Sequence, residues 1–146
     1  SIGAFGEQLP NPENRVTLSN NTDKWGNPQA HFHVTYSQNE LLMLESARRD
    51  AIDMLEAAGC TDINSAPVNI TKPGNRIHEM GSARMGRDPA TSVLNGWCQS
   101  HEVPNLFITD GSFMTSSACQ NPSLPYMAFT ARASHYAADL LSEGKI

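Results

Sequence analysis

The stretch Ala30–Gly59, AHFHVTYSQNELLMLESARRDAIDMLEAAG, changes its hydrophobic period partway along. Over Ala30–Tyr36 the pattern alternates. Phe32, Val34 and Tyr36 share one face, and His31, His33 and Thr35 share the other, as in a half-buried strand. From Ser37 the period becomes helical. Ser37-Gln38-Asn39-Glu40 is a capping box, in which the Ser37 hydroxyl reaches the amide of Glu40 and the Glu40 carboxylate reaches back. Leu41, Leu44, Ala47, Ala51, Leu55 and Ala58 follow at helical spacing, and Gly59 supplies a C′ glycine to end the helix. A strand feeding into a capped amphipathic helix predicts an α+β fold: an antiparallel strand layer with the helix packed against it.

Working outward, NRVTL (Asn14–Leu18) reads as the partner strand, and Ser19–Gln29 is dense in turn formers, so a hairpin around a long turn is expected. The polar, irregular run Cys60–Asn75 divides residues 1–75 from 76–146. In the second part RIHEM (Arg76–Met80) reads as a short strand, GSARMGRDPATSV as a loop, and NLFITDG (Asn105–Gly111) as a buried strand. A last helix runs to about Leu141, with Ala128, Ala131 and Ala138 on a small-residue face. Its entrance, SSACQNPSLPYMA (Ser116–Ala128), offers two N-cap candidates, Asn121 and Ser123. Pro125 decides between them. With Ser123 as cap, its missing N–H falls harmlessly in the first turn; with Asn121 as cap, it forfeits a hydrogen bond. Ser123 is the expected cap, and Asn121 is left for other work.

A net charge of −5 on 146 residues gives no electrostatic footprint for nucleic acid or an anionic membrane. No apolar run approaches the roughly 18 residues that span a bilayer. The opening SIGAFGEQLP lacks the basic and apolar regions of a signal peptide and an initiator Met, so the chain reads as either a processed product or an excised piece of something longer. A soluble chain is expected, with the compartment open between cytoplasm and periplasm. Cys60, Cys98 and Cys119 fit neither a zinc pattern nor a disulfide framework.

A strand running into a helix N-terminus creates an acceptor site for an anion or carbonyl, because the first amides are unsatisfied there. His78 and Asn121 converge on such a site if the flanking segments fold back. A neutral His supplies a base, and an Asn amide hydrogen-bonds a hydroxyl without carrying charge. His31 and His33 share a strand face, but no third ligand follows at a diagnostic spacing, so no metal is expected. His101 and His135 read as structural, and Arg84 as a brace for its loop. Ser112 and Ser116 lack the Gly-x-Ser-x-Gly elbow of a hydrolase.

IHEMGSARMG, NLFITDGS and NPSLPYMAFTARASHYAADLL together resemble the C-terminal signature of the glucose-methanol-choline (GMC) flavin oxidoreductases. GEQLPNPENRVTL, DKWGNPQAHFHVTYSQNE and the capped helix are similar to that family's substrate-domain segment. The resemblance implies that His78 is the catalytic base and Asn121 its partner on the substrate oxygen, as hydride passes from carbon to FAD. It implies that Asp110 and Gly111 meet the FAD ribityl-pyrophosphate region, and that Pro122 and Ser123 open the helix facing the flavin N1–C2=O edge. Asn rather than His at position 121 resembles the pyranose-oxidising and sugar-dehydrogenase branches, so a sugar or other alcohol is the implied substrate.

The family's N-terminal Rossmann unit needs a Gly-x-Gly-x-x-Gly turn, and this chain contains no Gly-x-Gly. The expectation is a C-terminal catalytic fragment, inactive and without FAD by itself, whose partner is the N-terminal FAD-binding part of the same protein. The final strand and helix belong to the FAD-binding half in that family. Apolar surface left open there predicts self-association, or disorder around Gly81–Gly96. The alternative is a non-enzymatic metal-binding or structural module that retains the fold.

Overall fold

Arg15–Thr22 (β1) and Pro28–His33 (β2) pair antiparallel, with Arg15 opposite His33, Val16 opposite Phe32, Thr17 opposite His31 and Leu18 opposite Ala30. The structure, a computed structural model, describes residues 1–68 and 77–146. Arg76, which opens the expected RIHEM strand, lies outside the described residues, as do Pro73 and Gly74 of the irregular run; the other residues of RIHEM, Ile77–Met80, are described and form no strand. The chain divides into two units, Ser1–Asn75 and Arg76–Ile146.

In the first unit the hairpin closes more tightly than its turn-rich sequence predicts. The Asp23 carboxylate accepts from the amides of Trp25 and Asn27, both at 2.9 Å, and Gly26 takes φ +87°. Those hydrogen bonds, that from Asn27 first, hold the Asp23 carboxyl below its ordinary range. One compact turn lets β1 run on to Thr22, with a register irregularity between Leu18 and Thr22. β2 ends at His33, short of Val34 and Tyr36, but within the hairpin the alternation holds: Val16, Leu18, Ala30 and Phe32 lie on one face, and Arg15, Thr17, His31 and His33 on the other. The apolar face, however, is not a core face. Phe32 is 69% and Leu18 73% exposed, and no residue of β2 is buried. The expected cover by the capped helix is absent, because alternation encodes which residues share a face and not what lies against it.

That helix, Gln38–Ala57 (α1), has both halves of the expected capping box. Ser37 Oγ accepts from the Asn39 amide at 3.1 Å, and the Ser37 amide donates to Glu40 Oε2 at 2.7 Å. The second Glu40 oxygen accepts from the Leu9 amide at 3.1 Å, tying the N-terminal segment to the helix start. Glu40 is 3% exposed, and the hydrogen bonds from Ser37 and then Leu9 hold its carboxyl down to about 2. At the other end Gly59 takes φ +79°. Its amide donates to Glu56 O, and the Cys60 amide donates to Leu55 O, forming a Schellman cap. Arg48 pairs with Glu45 at 2.7 Å and donates to Ser65 Oγ at 2.9 Å, so the chain after α1 is tied back along it.

The second unit is organised by Ser123–Ser142 (α2) and a core of Leu94, Cys98, Phe113 and Ala133, each no more than 2% exposed. Phe113 enters from the short 3-10 turn Gly111–Phe113 and packs on Phe129 at 4.8 Å and edge-on to Tyr126. Further along, the Trp97 ring stacks on Tyr136 at 4.6 Å and carries the Arg132 guanidinium at 4.2 Å. The inner face of α2 is therefore Tyr126, Phe129, Ala133 and Tyr136. Ala128, Ala131 and Ala138 point outward and are exposed.

NLFITDG is not a regular strand. It keeps a single bridge, Phe107 opposite Gln99, flanked by the Ser100 amide on Leu106 O and the Ile108 amide on Cys98 O. The chain doubles back through Pro104 between these partners. The loop between the expected strands is held by bridges of its own, Met85 to Leu94 and Leu94 to Ser100. α2 ends at Gly144, φ +66°, in a second Schellman cap through Leu140 and Leu141. Among the described residues no helix is long and apolar enough to cross a membrane.

Candidate functional site

The start of α2 differs from the cap expected of it. The helix begins at Ser123 with Pro122 in the N-cap position, and no side chain caps it. Neither Ser123 nor Asn121 does so: Ser123 is already the first helical residue, and Asn121 lies one position outside. The first helical hydrogen bond is the Tyr126 amide to Pro122 O at 3.1 Å. Pro125 therefore sits at the third helical position, still within the turn where an absent N–H costs nothing. The expectation that Asn121 is not spent on capping holds, although Ser123 does not replace it. Pro122 is buried and Asn121 is exposed. The Asn121 amide makes no side-chain hydrogen bond among the described residues, and the amides of Ser123 and Leu124 have no acceptor there either. Uncapped amides at a helix N-terminus favour a partial negative charge.

His78 stands in the segment Ile77–Met80, half-buried, with φ +68°. A non-glycine residue in the left-handed region costs on the order of 1 kcal/mol and persists where the surroundings impose it. Asp62 and Cys98 share that conformation, so it marks constraint and is not peculiar to the site. The His78 ring makes no hydrogen bond among the described residues, and neither nitrogen is committed to a structural partner.

Gly111 joins the two segments. A Cβ added there would stand 2.6 Å from Tyr126 Oη, 3.0 Å from the Glu79 carbonyl oxygen and 3.3 Å from Met80 Sδ. Only glycine lets the residues following His78 lie against the 3-10 turn while the Tyr126 ring closes over it. Tyr126 Oη also meets Met80 Sδ at 3.8 Å. The residue after His78 and a residue in the first turn of α2 thus touch the same glycine. Met80 and Tyr126 were not singled out from sequence; a glycine after a strand-like run was the only available signal. Asp110 supplies a local cap, its carboxylate accepting from the Ser112 amide at 2.9 Å and from the Ser112 hydroxyl.

One further reading changes. Arg84 does not brace its loop through the side chain, whose guanidinium makes no hydrogen bond or ion pair among the described residues. The loop is held by the Arg84 carbonyl, which accepts from the amides of Val93 and Leu94. His101 is a strut, its Nε2 lying 3.2 Å from Gly86 O and 3.1 Å from Ser92 Oγ. Among the described residues no group of three or more His, Cys, Asp or Glu side chains is placed to hold a metal. His31 and His33 share their face with Arg15, whose charge opposes a cation.

The family profile described as GMC oxidoreductase matches residues 10–130. The chain is 35% identical over 133 residues to 2-methyl-1,2-propanediol dehydrogenase of Mycolicibacterium austroafricanum, covering 90% of this chain and 24% of that protein. It is 35% identical over 134 residues to paromamine 6'-oxidase of Streptomyces fradiae, covering 91% and 24% respectively. It is also 35% identical over 146 residues to the fructose dehydrogenase large subunit of Gluconobacter japonicus, covering 98% and 26%. The chain thus spans about a quarter of the length of these relatives. The match runs through both the hairpin with its capped helix and the segment carrying His78, Gly111 and Asn121, and on that ground the chain belongs to the GMC oxidoreductase family.

Proposed function

We propose that this chain is the C-terminal catalytic and substrate-binding portion of an FAD-dependent oxidoreductase that oxidises a CH–OH group of a sugar or other alcohol. The uncommitted pair His78 and Asn121 supports this reading most directly. Both side chains lie in segments linked through Gly111, and among the described residues neither is spent on a cap or structural hydrogen bond. The names of the relatives, a propanediol dehydrogenase, a paromamine oxidase and a fructose dehydrogenase subunit, support the substrate class.

The uncapped start of α2 suits the flavin. Amides at Ser123 and Leu124, with Pro122 ordering the entry, offer donors and a positive helix end to an electron-rich ring edge. Asp110 and Gly111 take the place beside the ribityl-pyrophosphate region. Bound FAD supplies the hydride acceptor. His78 takes the proton of the substrate hydroxyl as the C–O bond becomes a carbonyl, and the Asn121 amide donates to that oxygen without adding charge.

The chain by itself is expected to be colourless and inactive, because it offers no Gly-x-Gly turn for a pyrophosphate. Its partner is the FAD-binding part of the same protein. In the protein carrying both parts, His78→Ala is expected to slow substrate reduction of the flavin by orders of magnitude while FAD stays bound. Unchanged reduction, followed by stopped-flow absorbance, would overturn the assignment. Stoichiometric flavin on the purified 146-residue chain would overturn the claim that it cannot bind FAD alone.

A further inference from the structure

We propose that a cleft of about 300 Å³ in the second unit, lined by Arg84, Thr91, Ser92, Ser100, His101 and Glu102, binds a small oxyanion, either a carboxylate or a phosphate group. Its residues belong to none of the roles assigned to His78 and Asn121.

One wall is the turn Asp88–Thr91. The Asp88 carbonyl accepts from the Thr91 amide at 3.1 Å and from Ser92 Oγ at 2.7 Å, and its carboxylate accepts from the Ala90 amide at 2.9 Å. The facing wall is Ser100–Glu102, pinned by the His101 amide on Val93 O at 3.0 Å. His101 crosses between them. Gly86 O can only accept, so His101 Nε2 carries the proton in that contact. Ser92 spends its own proton on Asp88 O and is left able only to accept.

Two donors of this cleft are not spent. Ser100 is 7% exposed, and its Oγ accepts from the amides of Glu102 at 3.2 Å and Val103 at 3.1 Å. Both lone pairs are therefore occupied, while the hydroxyl proton has no acceptor among the described residues. The Arg84 guanidinium is likewise without a hydrogen bond or ion pair there. A nearly buried serine hydroxyl and an arginine belong to the lining of one cleft; an oxygen acceptor would complete both donors, and a guanidinium fork matches a carboxylate or phosphate. Glu102 is the one lining group that opposes an anion. It is exposed, so water screens it, and it provides the test of sign.

The test is a titration of the 146-residue chain with inorganic phosphate and separately with acetate, at constant ionic strength, followed by backbone amide NMR. Saturable shifts are expected at Ser92, Val93 and Ser100–Glu102. The tighter of the two ions identifies which oxyanion the cleft prefers. Arg84→Gln is expected to weaken binding roughly tenfold or more, with Arg84→Lys intermediate because it keeps the charge and loses the fork. Ser100→Ala weakens it several-fold, and Glu102→Gln tightens it. Uniform, non-saturating shifts would overturn the proposal, as would indifference to Arg84→Gln. So would saturable binding of a neutral polyol such as sorbitol that Glu102→Gln weakens, because the carboxylate would then be an acceptor for ligand hydroxyls. Arg84 and Glu102 are exposed, so neither substitution disturbs a core.

Discussion

Lowering the pH from about 4.5 towards about 2 should progressively loosen the start of α1, and Glu40 is the reason. Its carboxylate takes the Ser37 amide at 2.7 Å and the Leu9 amide at 3.1 Å, and is 3% exposed. These contacts favour the charged form and draw its pKa from 4.5 to about 2. Stability from a depressed carboxyl is complete above the unfolded value and is lost as pH falls, so this contribution fades between about 4.5 and about 2. At 1.36 kcal/mol per decade the shift sets an upper bound of about 3 kcal/mol. Leu9, in the segment that covers the carboxylate, is itself 55% exposed. Screening by nearby water lowers the figure to about 1–2 kcal/mol, in line with one helix cap plus one charge-assisted hydrogen bond. The assay is twofold: carboxyl ¹³C NMR to read the Glu40 titration directly, and urea unfolding of the chain and of Glu40→Gln at pH 7 and pH 3. Glu40→Gln should cost its 1–2 kcal/mol at pH 7 and progressively less at pH 3, roughly as the wild type loses the same contribution. Titration of Glu40 at 4 or above, or an equal pH slope in both proteins, would refute the reasoning.

Two glycine substitutions separate backbone strain from crowding. Gly59→Ala meets nothing within 4 Å, so its cost is the left-handed conformation alone, about 1 kcal/mol in urea unfolding, with α1 otherwise unchanged. Gly111→Ala meets Tyr126 Oη at 2.6 Å and the Glu79 carbonyl at 3.0 Å, and is expected to cost about 1–3 kcal/mol. It should also shift the amide signals of Ile77–Met80 and the first turn of α2 together. A shift confined to the 3-10 turn would show that Gly111 does not join them.

The elements most legible in the sequence were those whose signals are local. The Ser37–Glu40 box, the helix behind it and Gly59 at its end were fixed by neighbours within one or two turns, and the structure follows them closely. β1 and β2 were found by alternation, and the sorting of residues between their faces came with it. The same logic failed at NLFITDG, whose apolar run satisfies a strand pattern equally well whether its partner supplies one rung or many. At the site, the ordered motifs pointed to His78 and Asn121, and the idea that Asn121 is spared from capping followed from the position of Pro125.

Which residue occupies the cap, and what Gly111 is for, depended on tertiary structure. Pro122 enters α2 without a capping side chain because its backbone, together with the Tyr126 amide, suffices to begin the helix. Gly111 matters because Glu79, Met80 and Tyr126 reach it from distant parts of the chain. Arg84 looked like a loop brace because arginines often are. Only the folded loop shows its carbonyl doing that work while its side chain stands over a cleft. By itself, then, the sequence determined the helix boundaries set by local caps, the faces of the hairpin and the family to which the chain belongs. Hydrogen bonds and contacts between residues far apart in sequence decided which polar groups are spent on structure and which remain available for chemistry, because a side chain's partners are set by the fold and not by its neighbours along the chain.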